Sequence, residues 1–434
     1  MPVAPQVDPI LGLDSFFELL RAMKAFKLVE YYASCFARNG NTYYSLTLGR
    51  KLIMTCDREN IKSILTNMEA WPIAGPRLYM VLPVLGPHSI FSSNGPIWHE
   101  ARSTIRPSFT RDQVADLAWF NKHIDNLLAA IPADGTTFDI QDLLLKMTMD
   151  SSTDFMLGYS TNSLLQTSPE GSQFLSDFDR HYQALEPFSL RRAINKGAKD
   201  SSVAAPERSY IFLDELLKLN VPEEYVIDQI LSIIIAGRDT TAIATAAVFY
   251  YLARDPESVR RIREEIAQLG VDNPSWEELR GMRFLNNVVR ESLWLFPPIP
   301  LNSREAGKET VLPHGGGPDG KSPALVPKGT PVRWSLYSLH RNKEVHGPDA
   351  DEFRPDRWES LRLGWDYIPF HGGPQICLGQ QFSLSQMAYL LYMFFKTFRG
   401  IEAHEEGEML LHYQTASPWK EAIIESNRLS NGCK

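Results

Sequence analysis

Apolar positions recur at helical spacing along most of this chain. Residues 14–38 read as amphipathic helix. Residues 42–56, TYYSLTLGRKLIMTC, form two β-rich runs around Gly49, Arg50 and Lys51, the pattern of a hairpin. Asp57 is placed to cap a helix that runs to about Leu65. Helical periodicity dominates 97–130, 138–157, 172–185, 208–219, 223–254, 257–268 and 276–295. The stretch 299–340 is rich in Pro, Gly and Val and suits short strands and turns. Residues 341–375 read as irregular, and a final helix is expected over about 380–398, with short strands after it. No repeat, low-complexity tract or clear linker interrupts the pattern. It predicts a mainly α protein with a small β-sheet, folded as a single large domain over 1–434.

Composition narrows the function classes. The chain has 434 residues, 44% apolar and 22% charged, enough for a large core. A formal net charge of -8 argues for no nucleic-acid partner. The longest apolar stretch, 229–253, is long enough to span a bilayer, but Arg238 and Asp239 sit at its middle. A charge pair there is costly in lipid, so a buried core helix is expected. The N-terminus, MPVAPQVDPILGL, has neither a basic start nor a long apolar run, so neither a signal peptide nor a membrane anchor is expected. Cys35, Cys56, Cys377 and Cys433 lie far apart, which disfavours a disulfide framework or a structural zinc site.

The most informative segment is FHGGPQICLGQQFSLSQM, 370–387. A loop through Gly372, Gly373 and Pro374 leads to Cys377, Gly379 follows, and a helical pattern begins. Backbone N–H groups at a helix start can hold a thiolate beside a metal, and glycines let backbone approach a flat group. Taken alone, G-x-C-x-G reads sooner as a Gly-rich turn with an incidental buried cysteine, and only the wider sequence reverses that preference.

Here the chain resembles the cytochrome P450 superfamily, whose loop is Phe-x-x-Gly-x-Arg-x-Cys-x-Gly. Phe370, Gly373, Cys377 and Gly379 match it, and Gln375 stands at the arginine position. The wording of AGRDTTA (236–242), LPHGGGPDGKSPALVPKGT (312–330), GPDADEFRPDRW (347–358) and ICLGQQF (376–382) is most similar to the fungal branch related to alkane and fatty-acid hydroxylases. The resemblance implies the cytochrome P450 fold and heme b, iron protoporphyrin IX with Cys377 as its axial thiolate. That thiolate's electron push favours O–O cleavage.

Further pieces follow from the same resemblance. Asp239 and Thr240 lie mid-helix beside Ala236 and Gly237 and would deliver protons to bound oxygen. The bland alternative is a Thr bonded back to its own helix and an Asp paired with Arg238. Trp98 and Arg102 form the family's Trp-x-x-x-Arg, on one helix face, and would reach a haem propionate. Arg304 matches another propionate position, and Gln375 keeps a hydrogen bond there without the charge. Glu291 opens the family's Glu-x-x-Arg, but Trp294 occupies the partner position, leaving Arg357 as the base of that buried cluster. GGGPDGKS (315–322) matches the P-loop pattern by letter, yet Pro323 and Pro327 follow, so no helix and no phosphate site is expected.

The resemblance therefore implies a monooxygenase that inserts one atom of O2 into an apolar small molecule, fatty-acid-like or a fungal secondary metabolite. Its electrons would come from NADPH through a separate partner, NADPH–cytochrome P450 reductase. The expected location is the endoplasmic reticulum membrane surface or the cytoplasm. Three departures bear on activity: the absent anchor, a substrate-roof region over about 159–207 that is several tens of residues short, and the replacements at Trp294 and Gln375. They leave a catalytically impaired haem-binding paralogue, or a truncated gene product, as the alternative.

Overall fold

The computed structural model describes residues 1–4, 8–132, 136–165 and 210–403, and the backbone strand 423–428. The expected roof region from 166 to 209, the helical pattern over 172–185 and Cys433 lie outside the described residues.

Helices dominate, and local capping explains several of their starts. Asp57 accepts from the Asn60 N–H at 3.0 Å and opens the helix Arg58–Thr66. Asp139 accepts from Gln141 N–H at 2.8 Å and opens Ile140–Leu157. Ser275 and Glu278 form a reciprocal capping box at the start of Trp276–Gly281. Each such acceptor satisfies an N–H that the first turn leaves unbonded, worth about 0.5–2 kcal/mol.

The organising element is the helix Glu223–Leu252, 30 residues long. It is apolar enough to cross a membrane by length and composition, yet 78% of its most apolar window is buried inside the protein. It packs along Ile140–Leu157. Its central charges, Arg238 and Asp239, are buried and paired with one another at 3.0 Å. That pairing lets a core helix carry two charges.

A four-stranded sheet stands apart from the helical core. Its order is Thr42–Thr47, Arg50–Thr55, Pro331–Ser335, Leu301–Glu305. The first pair is the expected hairpin, Thr42 opposite Thr55. Arg50–Thr55 runs parallel to Pro331–Ser335, which pairs antiparallel with Leu301–Glu305, Asn302 opposite Trp334 and Arg304 opposite Val332. Leu301–Glu305 is thus an edge strand. The strands Thr310–Gly316 and Ser322–Val326 form a separate hairpin. The P-loop lookalike is the turn of that hairpin, closed by Gly315 N–H to Gly320 O at 2.7 Å, and no helix follows it.

Several long periodic runs are broken. The run 14–38 is two helices, Leu13–Lys24 and Leu28–Asn39, separated where Phe26 adopts φ 56°. The run 97–130 divides into Gly95–Ile105, Arg111–Ala115 and Asn121–Ala130, joined by 3-10 turns, the first containing Pro107. The run 276–295 breaks at Met282. A second helix, Arg283–Leu295, starts there because the Glu265 carboxylate accepts from Phe284 N–H at 2.8 Å and Leu285 N–H at 2.9 Å. A helix also forms over Gly75–Leu85, a segment the sequence reading left unassigned, although it carries Pro76 and Pro83. Pro76 falls in the first turn, where a missing N–H costs little. Val84 and Leu85 join the apolar cluster of Ile230, Ile233 and Ile234 on the long helix, and that packing overrides propensity.

Candidate active site

The cysteine loop is shaped by backbone. His371 N–H bonds Ile368 O at 2.8 Å, Ile376 N–H bonds Gly373 O at 3.1 Å, and Cys377 N–H bonds Phe370 O at 3.1 Å. The Phe370 side chain packs on the main helical core. Gly373 sits at φ 70°, and a Cβ there would lie 2.4 Å from Leu65 O. Its glycine is therefore demanded by the neighbouring helix end rather than by any cofactor. Gly379 is the opposite case. Its φ is -83°, and a Cβ would meet only the Phe109 ring, at an ordinary 3.6 Å. Nothing in the described chain requires glycine at 379, which leaves close approach of an external group as the reason.

Cys377 is accessible at its surface. Burial nevertheless raises its thiol above the ordinary value, opposed by the Gly379 N–H and by the Arg102 charge. The loop's N–H group and cation do not by themselves favour the thiolate; a coordinated metal deprotonates such a thiol outright. The helix Gln380–Thr397 begins immediately after the loop, with its N-terminus toward the sulfur.

The long helix meets this loop at its centre. Thr241 and Ser383 hydroxyls lie 3.1 Å apart, tying the middle of Glu223–Leu252 to the first turn after Cys377. Within that otherwise buried stretch, Ile235, Ala236, Gly237 and Thr240 are partly exposed. Ala236 and Thr240 are four apart and share a face. Thr240 Oγ1 donates to Ala236 O at 2.5 Å, and Asp239 pairs with Arg238. These are the partners a purely structural role would give them. The Thr240 proton is committed to the carbonyl, so the hydroxyl offers lone pairs to the space beside it.

Two arginines flank the loop. Arg102 Nη2 donates to Ile376 O at 3.0 Å, and its guanidinium lies 5.4 Å from the Trp98 ring centre. Trp98 is buried, and its indole N–H has no acceptor among the described residues. From the other side, buried Arg304 donates to Gln375 Oε1 and to Ser303 O. Sequence reasoning missed three residues next to these. Asn302 Nδ2 lies 2.9 Å from His371 Nε2, and Asn302 Oδ1 accepts from Arg77 Nη1 at 2.9 Å. The available signal was the spacing: Asn302 precedes Arg304 by two on a strand and shares its face. Burial holds His371 neutral, with its pKa drawn down to about 4, and the Arg77 charge pushes the same way.

Cys377, Gly379, Trp98, Arg102, Arg304 and Gln375 are thus gathered around one loop. A single accessible thiol, cations on both sides, an unbonded indole N–H and a partly open turn of a core helix fit an iron porphyrin with two carboxylates. Among the described residues no cluster of three or more His, Cys, Asp or Glu offers a rival metal site.

Behind the loop, Glu291 is fully buried and keeps its base. Arg357 Nε donates to Oε1 at 3.0 Å, Arg354 N–H to the same oxygen at 2.8 Å, and Trp358 Nε1 to Oε2 at 2.8 Å. Trp294 fills the other base position as a fully buried ring. Its N–H bonds Ala350 O at 3.0 Å, and His346, His340, Trp358 and Tyr367 surround it at centroid distances of 4.4, 5.7, 6.0 and 6.1 Å.

Comparison with known proteins agrees with this geometry. The family model described as Cytochrome P450 matches residues 9–195 and 172–416. A cytochrome P450 monooxygenase, himC, of Aspergillus japonicus is 37% identical, over 99% of this chain and 82% of its own length. A cytochrome P450 monooxygenase, FPY7, of Fusarium mangiferae is 35% identical, over 99% of this chain and 87% of its own. Cytochrome P450 52A3-B of Candida maltosa is 34% identical, over 91% and 85%.

Proposed function

Because the chain belongs to the cytochrome P450 family, and so is a haem-thiolate monooxygenase by class, we propose that it oxidises an apolar organic molecule, fatty-acid-like or a fungal secondary metabolite, with electrons drawn from NADPH through a separate reductase. The observation that carries this reading is the accessible Cys377 thiol, on a loop that Arg102 and Arg304 bond at Ile376 and Gln375 and that Ser383 ties to the open turn of the long helix. The bound haem supplies the activation of O2. The residues of this chain hold and surround it: Cys377 as iron ligand, Trp98, Arg102, Arg304 and Gln375 toward its carboxylates, and Gly379 leaving room for its plane.

Apolar specificity is supported by one cluster. Val84, Leu85, Ile230, Ile233 and Ile234 belong to it, and Val81, Ile90 and Phe91 are among the partly exposed residues packed against it. Ile235, packed on the same cluster, directly precedes the partly exposed Ala236 and Gly237, so this wall reaches the open turn of the long helix. Thr240 Oγ1 accepts a hydrogen bond from the oxygen-side water or ligand while its own proton stays on Ala236 O. Asp239 is an ion-paired carboxylate on Arg238; it would relay a proton only by leaving that pair, taking a proton from water and passing it on. The electron route needs a partner because no nicotinamide or flavin motif is present in the sequence. A place at the endoplasmic reticulum surface would put such a reductase alongside.

The reduced purified protein should give a thiolate-type Soret band on addition of CO, and Cys377→Ala should abolish that band while leaving the far-UV dichroism intact. A wild-type protein that takes up haem without that band would refute thiolate ligation. Reconstitution with NADPH, a reductase and a long-chain fatty acid or alkane should yield hydroxylated product carrying 18O from labelled O2. Retention of haem without product across such apolar probes would favour the impaired paralogue.

A further inference from the structure

Resting on the haem reading above, we infer that Ser152 is a further positioning residue for the oxidation: its hydroxyl holds a water at the open turn of the long helix, within reach of Thr240.

A glycine in a helix interior weakens the helix, so Gly237 in the middle of Glu223–Leu252 needs a reason. The neighbouring helix supplies it. A Cβ on Gly237 would lie 3.3 Å from Ser152 Oγ, the one side chain from another helix within 4 Å of it. Ser152 belongs to Ile140–Leu157, which runs along the long helix. There Met149, Ser152 and Met156 are three and four apart and share one face. Both methionines are fully buried in the apolar cluster that includes Ile230, Ile233 and Ile234. A single hydroxyl thus interrupts an apolar face, opposite the glycine.

Its bonding sets that hydroxyl apart. Ser151 Oγ donates to Thr148 O at 3.2 Å and Thr153 Oγ1 to Met149 O at 2.9 Å, each back into its own helix. Ser152 makes no such bond among the described residues, and it is partly exposed while Ser151 and Thr153 on either side are buried. Across the gap, Ala236, Gly237 and Thr240 are partly exposed too. Thr240 lies three residues beyond Gly237, on the same side of the helix. Its proton is spent on Ala236 O, so its oxygen accepts. A free hydroxyl and an accepting oxygen on two facing helices are the ends of a one-water bridge. The water accepts from Ser152 Oγ and donates to Thr240 Oγ1, which keeps a proton carrier where the oxidation draws protons. Serine's small size also lets the two helices approach. Alanine keeps that size and removes only the hydroxyl, so S152A separates the water-holding role from packing.

The test compares S152A with wild type in three readouts: melting of the apoprotein, the infrared C–O stretch of the ferrous–CO complex, and product formed per NADPH consumed with an apolar probe that the wild type hydroxylates. Melting should be unchanged. The C–O stretch should shift, because the ligand loses a polar neighbour. Product per NADPH should fall about fivefold, the scale of one lost hydrogen bond, with hydrogen peroxide released in its place. In a G237A background, where a Cβ already fills the gap, adding S152A should change product per NADPH no further. An S152A protein whose C–O stretch or product yield matches wild type overturns the assignment. So does a yield that falls together with the melting temperature, which would mark Ser152 as packing alone, and so do effects of S152A and G237A that multiply independently. A wild type that gives no thiolate-type CO band would overturn the haem reading, and this inference with it.

Discussion

Trp294 stands where the family's Glu-x-x-Arg pattern has a base, so Trp294→Arg restores the family residue, and it should destabilise this protein. The Trp294 ring is fully buried, and its N–H is spent on Ala350 O at 3.0 Å. Arg357 already lies 5.7 Å from the ring centre. Glu291, the acid of the cluster, has both oxygens occupied by Arg354 N–H, Arg357 and Trp358. Burial pushes the Glu291 carboxyl up, and those donors hold it down against that push. His340 and His346 next to the ring are both driven toward the neutral form by burial. A second guanidinium would therefore enter a space with one fully bonded acid and two uncharged imidazoles. An uncompensated buried charge costs about 3–5 kcal/mol. For a chain of this length that corresponds to a melting shift of about 3–5 °C. Trp294→Phe keeps the ring and strands only the Ala350 carbonyl, at about 1–3 kcal/mol. Melting at a fixed scan rate, with thermal inactivation half-lives beside it because large proteins often unfold irreversibly, ranks the variants. The expected order is wild type, then Phe, then Arg. An Arg variant that melts with or above the wild type would show that Trp294 is not what completes this cluster.

Other outcomes follow from the same geometry. Gly373→Ala should destabilise the apoprotein by about 1–3 kcal/mol from the left-handed backbone alone, with the overlap on Leu65 O added. Gly379→Ala should leave apoprotein melting within about 0.5 kcal/mol of wild type and yet lower haem uptake, a split read by calorimetry and Soret titration. His340 and His371 should make stability fall on acidification. Their pKa values are lowered by burial from 6.5 to about 3 and about 4. Above the unfolded value neither state binds the proton; below it only the unfolded state does, so each histidine removes about 1.4 kcal/mol per pH unit until its folded value is reached. Urea midpoints measured at pH 7 and pH 5 should diverge, and His371→Asn should reduce that divergence by one proton's worth. Thr240→Val removes the lone pairs offered beside Ala236 and should lower product formed per NADPH consumed several-fold, with little change in the ferrous–CO spectrum.

Much of this protein was determined by its sequence alone, and the reason is locality. The caps at Asp57 and Asp139, the hairpin after Thr42 and the core helix around 223–252 depend on neighbours a few residues away, so spacing and residue type suffice. Cys377 was legible because its loop glycines and the following helix are contiguous with it. Tertiary structure decided what depends on distant chain. It broke the helix at Met282, because the cap comes from Glu265 on another helix. It formed the helix Gly75–Leu85 against the preference of two prolines, because Val84 and Leu85 had a surface to cover. It assigned Gly373 to Leu65 rather than to a cofactor, and it brought Arg77, Asn302 and His371 together from three separate segments. Local pattern specifies elements; long-range packing and charge pairing, which no short window contains, specify where those elements stop and what their side chains meet.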